Sequence, residues 1–157
     1  MSFASLSVKG RALRYLAQRE HSRAELERKL ARVVEDLPDA PALQQIAAAL
    51  DELAAKDLLS ESRAAASVLH SQGQRYGSRR LKQTLQMKGI APDLVSATLQ
   101  QARLTELERA REVWRRRFGA AAAAADAQAR ARQMRFMAGR GFDSEVIRRV
   151  LQVDADD

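Results

Sequence analysis

The chain has 157 residues, no cysteine and a formal net charge of +7, with 46% apolar but only 4% aromatic residues. That apolar share is typical of a folded soluble protein and argues against disorder, and the missing thiols exclude disulfides, thiolate metal sites and cysteine nucleophiles. No run of about 18 apolar residues is present to span a membrane, and the positive charges of the first residues follow a weakly apolar stretch, the wrong order for a secretory signal, so a cytoplasmic protein is expected.

Apolar residues recur at helical spacing almost throughout. Leu13, Leu16 and Ala17 define a first helix, Leu26, Leu30 and Val33 a second, and Leu43, Ile46, Ala47, Leu50 and Leu53 a third. The second opens with a capping box, in which the Ser22 hydroxyl accepts from the Glu25 amide and the Glu25 carboxylate reaches back to Ser22. Residues 36–41, with two prolines and two acids, form a loop. A fourth helix runs from about Ser60 to Gln72 and a fifth from Ser78 to Lys88, separated by Gly73 to Gly77. A sixth opens at Pro92, where a missing N–H costs nothing. A seventh carries Leu107, Ala110, Trp114 and Phe118 on one face, an eighth Met134 and Met137, and a ninth Val146, Ile147, Val150 and Leu151. No segment alternates with a strand period, so the expected class is all-α.

Internal repetition sharpens this reading. A shift of 52 residues lays Lys88-Gly89-Ile90 over Arg140-Gly141-Phe142 and Leu99-Gln100 over Leu151-Gln152, and a shift of 55 lays Leu26 and Leu30 over Leu81 and Leu85. Each repeat is thus about three helices long. The expected organisation is a flexible N-terminus over residues 1–9 and three-helix repeats over 10–56, 57–103 and 104–157, the last ending in a short acidic tail. In the basic-Gly-apolar tripeptides, the glycine takes the left-handed conformation that ends a helix and the apolar residue packs back on the last turn.

The charge is one-sided. Residues 1–70 hold 10 Lys/Arg against 10 Asp/Glu, while residues 71–157 hold 17 against 10, and 15 of those 17 are Arg. Arginine-rich excess favours forked contacts to phosphate or carboxylate, and so an anionic partner. Candidate binding residues are Arg75, Tyr76, Arg79, Arg80, Lys82 and Lys88 around the fifth helix, and Arg130, Arg132, Arg135, Arg140, Arg148 and Arg149 in the third unit. Leu81 and Leu85 mark the buried side of the fifth helix, which turns Arg79 and Lys82 elsewhere. Arg115, Arg116 and Arg117 span nearly a full turn, so one or two at most face a partner. The spacing of Trp114 to Ala110 and Phe118 reads as a core anchor. His21 and His70 stand far apart, and no nucleophile elbow or paired acid–base arrangement is present. No catalytic, metal or cofactor site is expected, and the chain is read as a non-enzyme.

Three stretches give the chain a likeness to a known family: Leu16-Ala17-Gln18-Arg19-Glu20-His21-Ser22-Arg23-Ala24-Glu25-Leu26 through Lys29-Leu30; Leu53 through Glu61-Ser62-Arg63-Ala64 to Tyr76-Gly77-Ser78-Arg79-Arg80-Leu81 and Lys88-Gly89-Ile90; and Arg135-Phe136-Met137-Ala138-Gly139-Arg140-Gly141-Phe142. In order and spacing these resemble the RecX family of recombination regulators over about Ala12 to Leu151. Departures are Asp57 at a usual glycine, Met137 at a usual leucine, and Ala120 to Ala125 in a commonly more polar stretch. The resemblance implies an elongated, curved array of three-helix modules. It implies a protein that binds RecA and the RecA–single-stranded DNA filament and suppresses ATP hydrolysis, strand exchange and coprotease activity, modulating recombination and the SOS response. A monomer is expected, with possible direct contact to single- or double-stranded DNA. The alternative is a helix-turn-helix-like protein acting directly on DNA, with Ser78 to Lys88 as recognition helix.

Overall fold

The computed structural model describes residues 6–119 and 126–152. The run Ala120 to Ala125 and the acidic tail fall outside them. Among the described residues there are eight helices: α1 (Val8–Gln18), α2 (Arg23–Ala31), α3 (Ala42–Ala55), α4 (Glu61–Gln72), α5 (Ser78–Met87), α6 (Pro92–Phe118), α7 (Ala127–Gly139) and α8 (Ser144–Gln152). The β-type pairing among them is an isolated bridge between Leu37 and Ala40, which closes the loop before α3.

Two expectations are corrected. The sixth and seventh predicted helices are one 27-residue helix, α6. Between Gln101 and Leu107 there is neither Gly nor Pro, and Ala102 and Glu106 are buried, so packing carries the helix across the join. The division drawn between residues 103 and 104 therefore falls inside a continuous helix. At the other end, helix starts at Val8 rather than after residue 9, because the Ser7 hydroxyl accepts from the Gly10 amide and caps it.

The chain divides into two compact units, one of residues up to Ser67 with Met87–Ala91, the other of Val68–Gln86 with everything from Pro92. In the first, α1, α2 and α3 pack on one another around Ala12, Leu26, Leu30, Ile46, Leu50, Leu53 and Leu59. Leu13, Val33 and Leu43, placed by periodicity on the apolar faces, are exposed instead. Leu43 sits in the first turn of α3, ahead of the buried Ile46, Leu50 and Leu53. The capping box at α2 forms as expected: the Glu25 amide donates to Ser22 Oγ at 3.2 Å and the Ser22 amide to Glu25 Oε2 at 2.8 Å. The α3–α4 turn runs through Asp57 at φ 57°, a left-handed position that Asp tolerates better than most residues.

Ser22 and Glu25 also bind the returning segment of this unit. Ser22 Oγ donates to the Lys88 carbonyl, Arg28 donates to the Met87 carbonyl at 2.9 Å, and Lys88 Nζ meets Glu25 Oε1 at 2.6 Å. Burial acts to push the Glu25 carboxyl up, but the Arg19 and Lys88 cations and the Ser22 amide outweigh it and hold it at about 2. Beside it lies His21, 1% exposed, with Nδ1 3.0 Å from the Arg19 carbonyl and Nε2 2.9 Å from Lys29 Nζ. A lysine donating to Nε2 requires the neutral ring with its proton on Nδ1.

In the second unit α6, α7 and α8 pack together around Ala110, Val113, Trp114, Met137, Phe142, Ile147 and Val150. Trp114 is the core anchor its spacing suggested, and its Nε1–H donates to the buried Gln133 at 3.0 Å. Met137 is fully buried and fills the place of the usual leucine. Gly89 and Gly141 end their helices with φ 71° and 87°, and the following Ile90 and Phe142 are buried.

Candidate functional site

The loop between α4 and α5 docks, backbone to backbone, on the turn between α7 and α8. The Gly77 amide donates to the Arg140 carbonyl at 2.9 Å and the Arg79 amide to the Gly141 carbonyl at 3.0 Å. This approach needs glycine on both sides. A Cβ on Gly77 would lie 2.5 Å from the Gly141 carbonyl oxygen, and one on Gly141 2.5 Å from Arg80 Cβ.

A buried and a half-buried group of α6 hold the same loop. Glu106, 2% exposed, accepts from the Ser78 amide at 2.9 Å and the Ser78 hydroxyl at 2.8 Å, so its charge sits at the start of α5, where the helix dipole favours an anion. One turn along, Arg109 donates to the carbonyls of Gly73, Tyr76 and Ala102 at 2.6–2.8 Å. Burial lowers the Arg109 pKa, and Glu106 partly opposes that. Carbonyls left free at the end of α4 and in the loop thus find a donor that the loop does not supply.

Docking brings arginines and aromatic rings into one alternating series. Arg80 and Arg75 lie 4.8 and 5.7 Å from the centre of the Tyr76 ring. Arg140 lies between Tyr76 and Phe136, at 5.4 and 5.1 Å, and Arg117 lies 5.5 Å from both Phe136 and Phe118. The order is therefore Tyr76, Arg140, Phe136, Arg117, Phe118, with Phe118 and Phe136 also edge to face at 5.4 Å. The contacts fall in the range where a ring face attracts a cation. A cleft of about 220 Å³ opens along the series, lined by Gln74, Arg75, Val113, Arg116, Arg117, Phe136 and Arg140. Among the described residues, no carboxylate pairs with Arg75, Arg80, Arg117 or Arg140.

Of the residues singled out in the sequence, Arg75, Tyr76, Arg80 and Arg140 are thus brought together. Arg79 is spent on the turn instead: it donates to the carbonyls of Ala138 and Phe142 at 3.3 and 3.2 Å and lies 4.0 Å from Asp143. Lys88 belongs to the first unit and is paired with Glu25. Lys82, Arg130, Arg135 and Arg149 are exposed without a place in the series, and Arg148 pairs with Glu145 at 3.1 Å. Arg132 is exposed and lines a second cleft with Arg117, Phe118 and Phe136. Of the triplet in α6, Arg115 and Arg116 turn to Glu112 at 3.3 and 3.1 Å, and only Arg117 joins the rings. Sequence reasoning passed over Phe136 and Arg117 as site residues and Glu106 and Arg109 as their supports. The four-residue step from Phe136 to Arg140 was a visible signal, since such pairs share a helix face. Nothing local marked Glu106 or Arg109, and the triplet Arg115, Arg116 and Arg117 left open which of its members faces the site.

Comparison with known proteins agrees with this architecture. Two family models match the chain, "RecX, second three-helix domain" over residues 60–99 and "RecX, third three-helix domain" over residues 105–151. The regulatory protein RecX of Leptothrix cholodnii is 53% identical over 148 residues, covering 94% of this chain and 89% of its own length. That of Chromobacterium violaceum is 42% identical over 157 residues, covering 100% and 97%. The crystal structure of RecX from Lactobacillus salivarius superposes with a TM-score of 0.77 over 96% of both chains at 18% identity, which speaks for the fold alone. With all-helical units, matched three-helix domains and relatives of this identity along nearly the whole sequence, the chain belongs to the RecX family of regulatory proteins.

Proposed function

We propose that this chain is a negative regulator of RecA that binds the RecA–single-stranded DNA filament and inhibits its ATPase, strand-exchange and coprotease activities, acting in the cytoplasm as a monomer and tempering recombination and the SOS response. The observation that carries this reading is the near full-length likeness to RecX regulatory proteins. A face of arginines in the second unit that have no carboxylate partner among the described residues supports it, because a nucleoprotein filament offers an extended anionic surface. The role proposed is one of binding rather than catalysis.

The helix-turn-helix alternative requires the N-terminal end of α5 to enter a DNA groove. That end is occupied: Ser78 is buried against Glu106, and Arg79 binds the α7–α8 turn. Direct recognition by α5 is therefore disfavoured.

The test is ATP hydrolysis by RecA filaments on single-stranded DNA, titrated with this protein below one molecule per recombinase subunit. Inhibition at such ratios, relieved by charge reversal at Arg80, Arg135 and Arg140, is expected. Full ATPase activity at an excess of this protein would overturn the reading and return the DNA-binding alternative to the front.

A further inference from the structure

We infer that the alternating series Tyr76, Arg140, Phe136, Arg117, Phe118 is a binding site for a single-stranded nucleic acid, with guanidinium edges on successive phosphates and an unpaired base stacked in the cleft. The inference stands apart from the recombinase reading, since it concerns contact between this chain and a bare strand.

Four guanidiniums, those of Arg75, Arg80, Arg117 and Arg140, line one short surface with three rings, and none of them has a carboxylate partner among the described residues. By contrast, Arg115 and Arg116 on the same helix as Arg117 are paired with Glu112. Rings attract a cation without neutralising it, so the series holds its charges in place while they repel one another. Anions bound along it relieve that repulsion.

A guanidinium packed against aromatic rings can still present N–H donors at its free edge, the side from which two parallel hydrogen bonds to a phosphate form. Arg140 and Arg117 each lie 5.1–5.5 Å from two ring centres, Phe136 being shared, so three rings are involved in all. These contacts restrain both side chains before any ligand arrives.

The cleft beside Phe136 has a volume of about 220 Å³, room for a planar base, whereas the base faces of a duplex are hidden by its own stacking. Planar guanidinium and aromatic surfaces are the platforms on which unpaired bases stack. An acidic peptide without aromatic side chains would satisfy the arginines but leave the cleft without a planar group.

The test is fluorescence anisotropy of a labelled oligothymidylate about 20 nucleotides long, with no recombinase present. Arg117→Gln with Arg140→Gln is expected to weaken binding about tenfold and to reduce the slope of log affinity against log salt by about 1.4, the effect of losing two phosphate contacts. Arg32→Gln with Arg103→Gln removes the same charge from exposed positions elsewhere and is expected to cost less than about threefold. An abasic strand of equal length is expected to bind several-fold more weakly than thymidylate. Arg140→Lys, which keeps the charge and loses the planar fork, is expected to fall between wild type and the glutamine pair; it carries the test if that pair loses its helical circular dichroism. Equal losses in the two double variants would overturn the proposal in favour of diffuse surface charge. Equal binding of abasic and thymidylate strands would remove the stacked base, and displacement of thymidylate by oligoglutamate at equal charge concentration would assign the site to an acidic protein instead.

Discussion

The amide of Gly77 donates to the carbonyl of Arg140 at 2.9 Å, and this bond ties the loop that carries Tyr76 to the turn that carries its arginine neighbour. Because a Cβ at residue 77 would meet the backbone of Gly141 and Phe142 within 2.5 Å, Gly77→Ala must push two main chains apart. Overpacking of this kind costs about 1–3 kcal/mol. Gly141→Ala adds the strain of a φ of 87° to a similar clash. Urea unfolding is expected to show both losses, with Gly141→Ala the larger. The same loss from Gly139→Ala, whose Cβ meets open space, would refute the docking argument.

Removal of Arg109 takes a donor from three carbonyls at once, two of which, those of Gly73 and Tyr76, lie outside the helices. Arg109→Met keeps much of the stem but leaves the Gly73, Tyr76 and Ala102 oxygens without this donor. An orphaned buried acceptor costs about 1–3 kcal/mol, and water can reach some of these, so a loss of about 2–3 kcal/mol is expected in denaturant unfolding. Glu106→Gln is expected to be milder, because its amide oxygen still accepts one of the two bonds from Ser78. Faster amide hydrogen exchange across Gly73 to Ser78 would locate the damage in this loop.

Glu25 sets an acid limit on the first unit. Its carboxyl is held at about 2 in the folded chain, against about 4.3 when unfolded. A depressed folded value means that its stabilisation is complete above about 4.3 and fades as pH falls from there toward 2. The contribution at neutral pH is on the order of 2 kcal/mol once the half-exposed Arg19 is discounted. Glu25→Gln is expected to lose that amount at pH 7 and to flatten the unfolding profile between about pH 5 and 2. An unchanged slope in that window would show that other carboxylates set it.

His21 acts in a separate window. Burial lowers its pKa, the Arg19 and Lys29 cations add to this, and the Arg19 carbonyl and Glu25 oppose it. The folded ring therefore stays neutral where the unfolded one begins to take a proton, so stability is full above about 6.5 and declines as pH falls below it. Protonation would also set a cation beside Lys29 Nζ, now 2.9 Å from Nε2. Thermal melts of the wild type are expected to fall between about pH 7 and 5, and those of His21→Gln to stay level there. Parallel curves would move the pH response away from this histidine.

Much of the local structure was legible from the amino-acid order. Periodic apolar residues mark all eight described helices, the Ser22–Glu25 box starts α2, and glycines followed by Ile90 and Phe142 end α5 and α7. These features depend on residues within a turn or two of one another, where spacing and capping chemistry decide the outcome. The same locality explains the errors. Nothing between Gln101 and Leu107 signals whether two helices or one pass through, and the answer is set by burial of Ala102 and Glu106.

The roles of the arginines show where that reach ends. The amino-acid order alone determined that the second half is arginine-rich, that Trp114 faces the core and that Arg115, Arg116 and Arg117 diverge. Tertiary structure alone decided that Arg79 and Arg109 are consumed by carbonyls, that Lys88 is paired with Glu25, and that Arg117 and Arg140 pack against rings with no carboxylate partner among the described residues. The physical reason is that a helix pattern is set by neighbours along the chain, whereas the pairing of a long side chain is set by which backbone is docked opposite it. Here that docking turns on two glycines, Gly77 and Gly141, whose missing Cβ atoms let two distant loops meet.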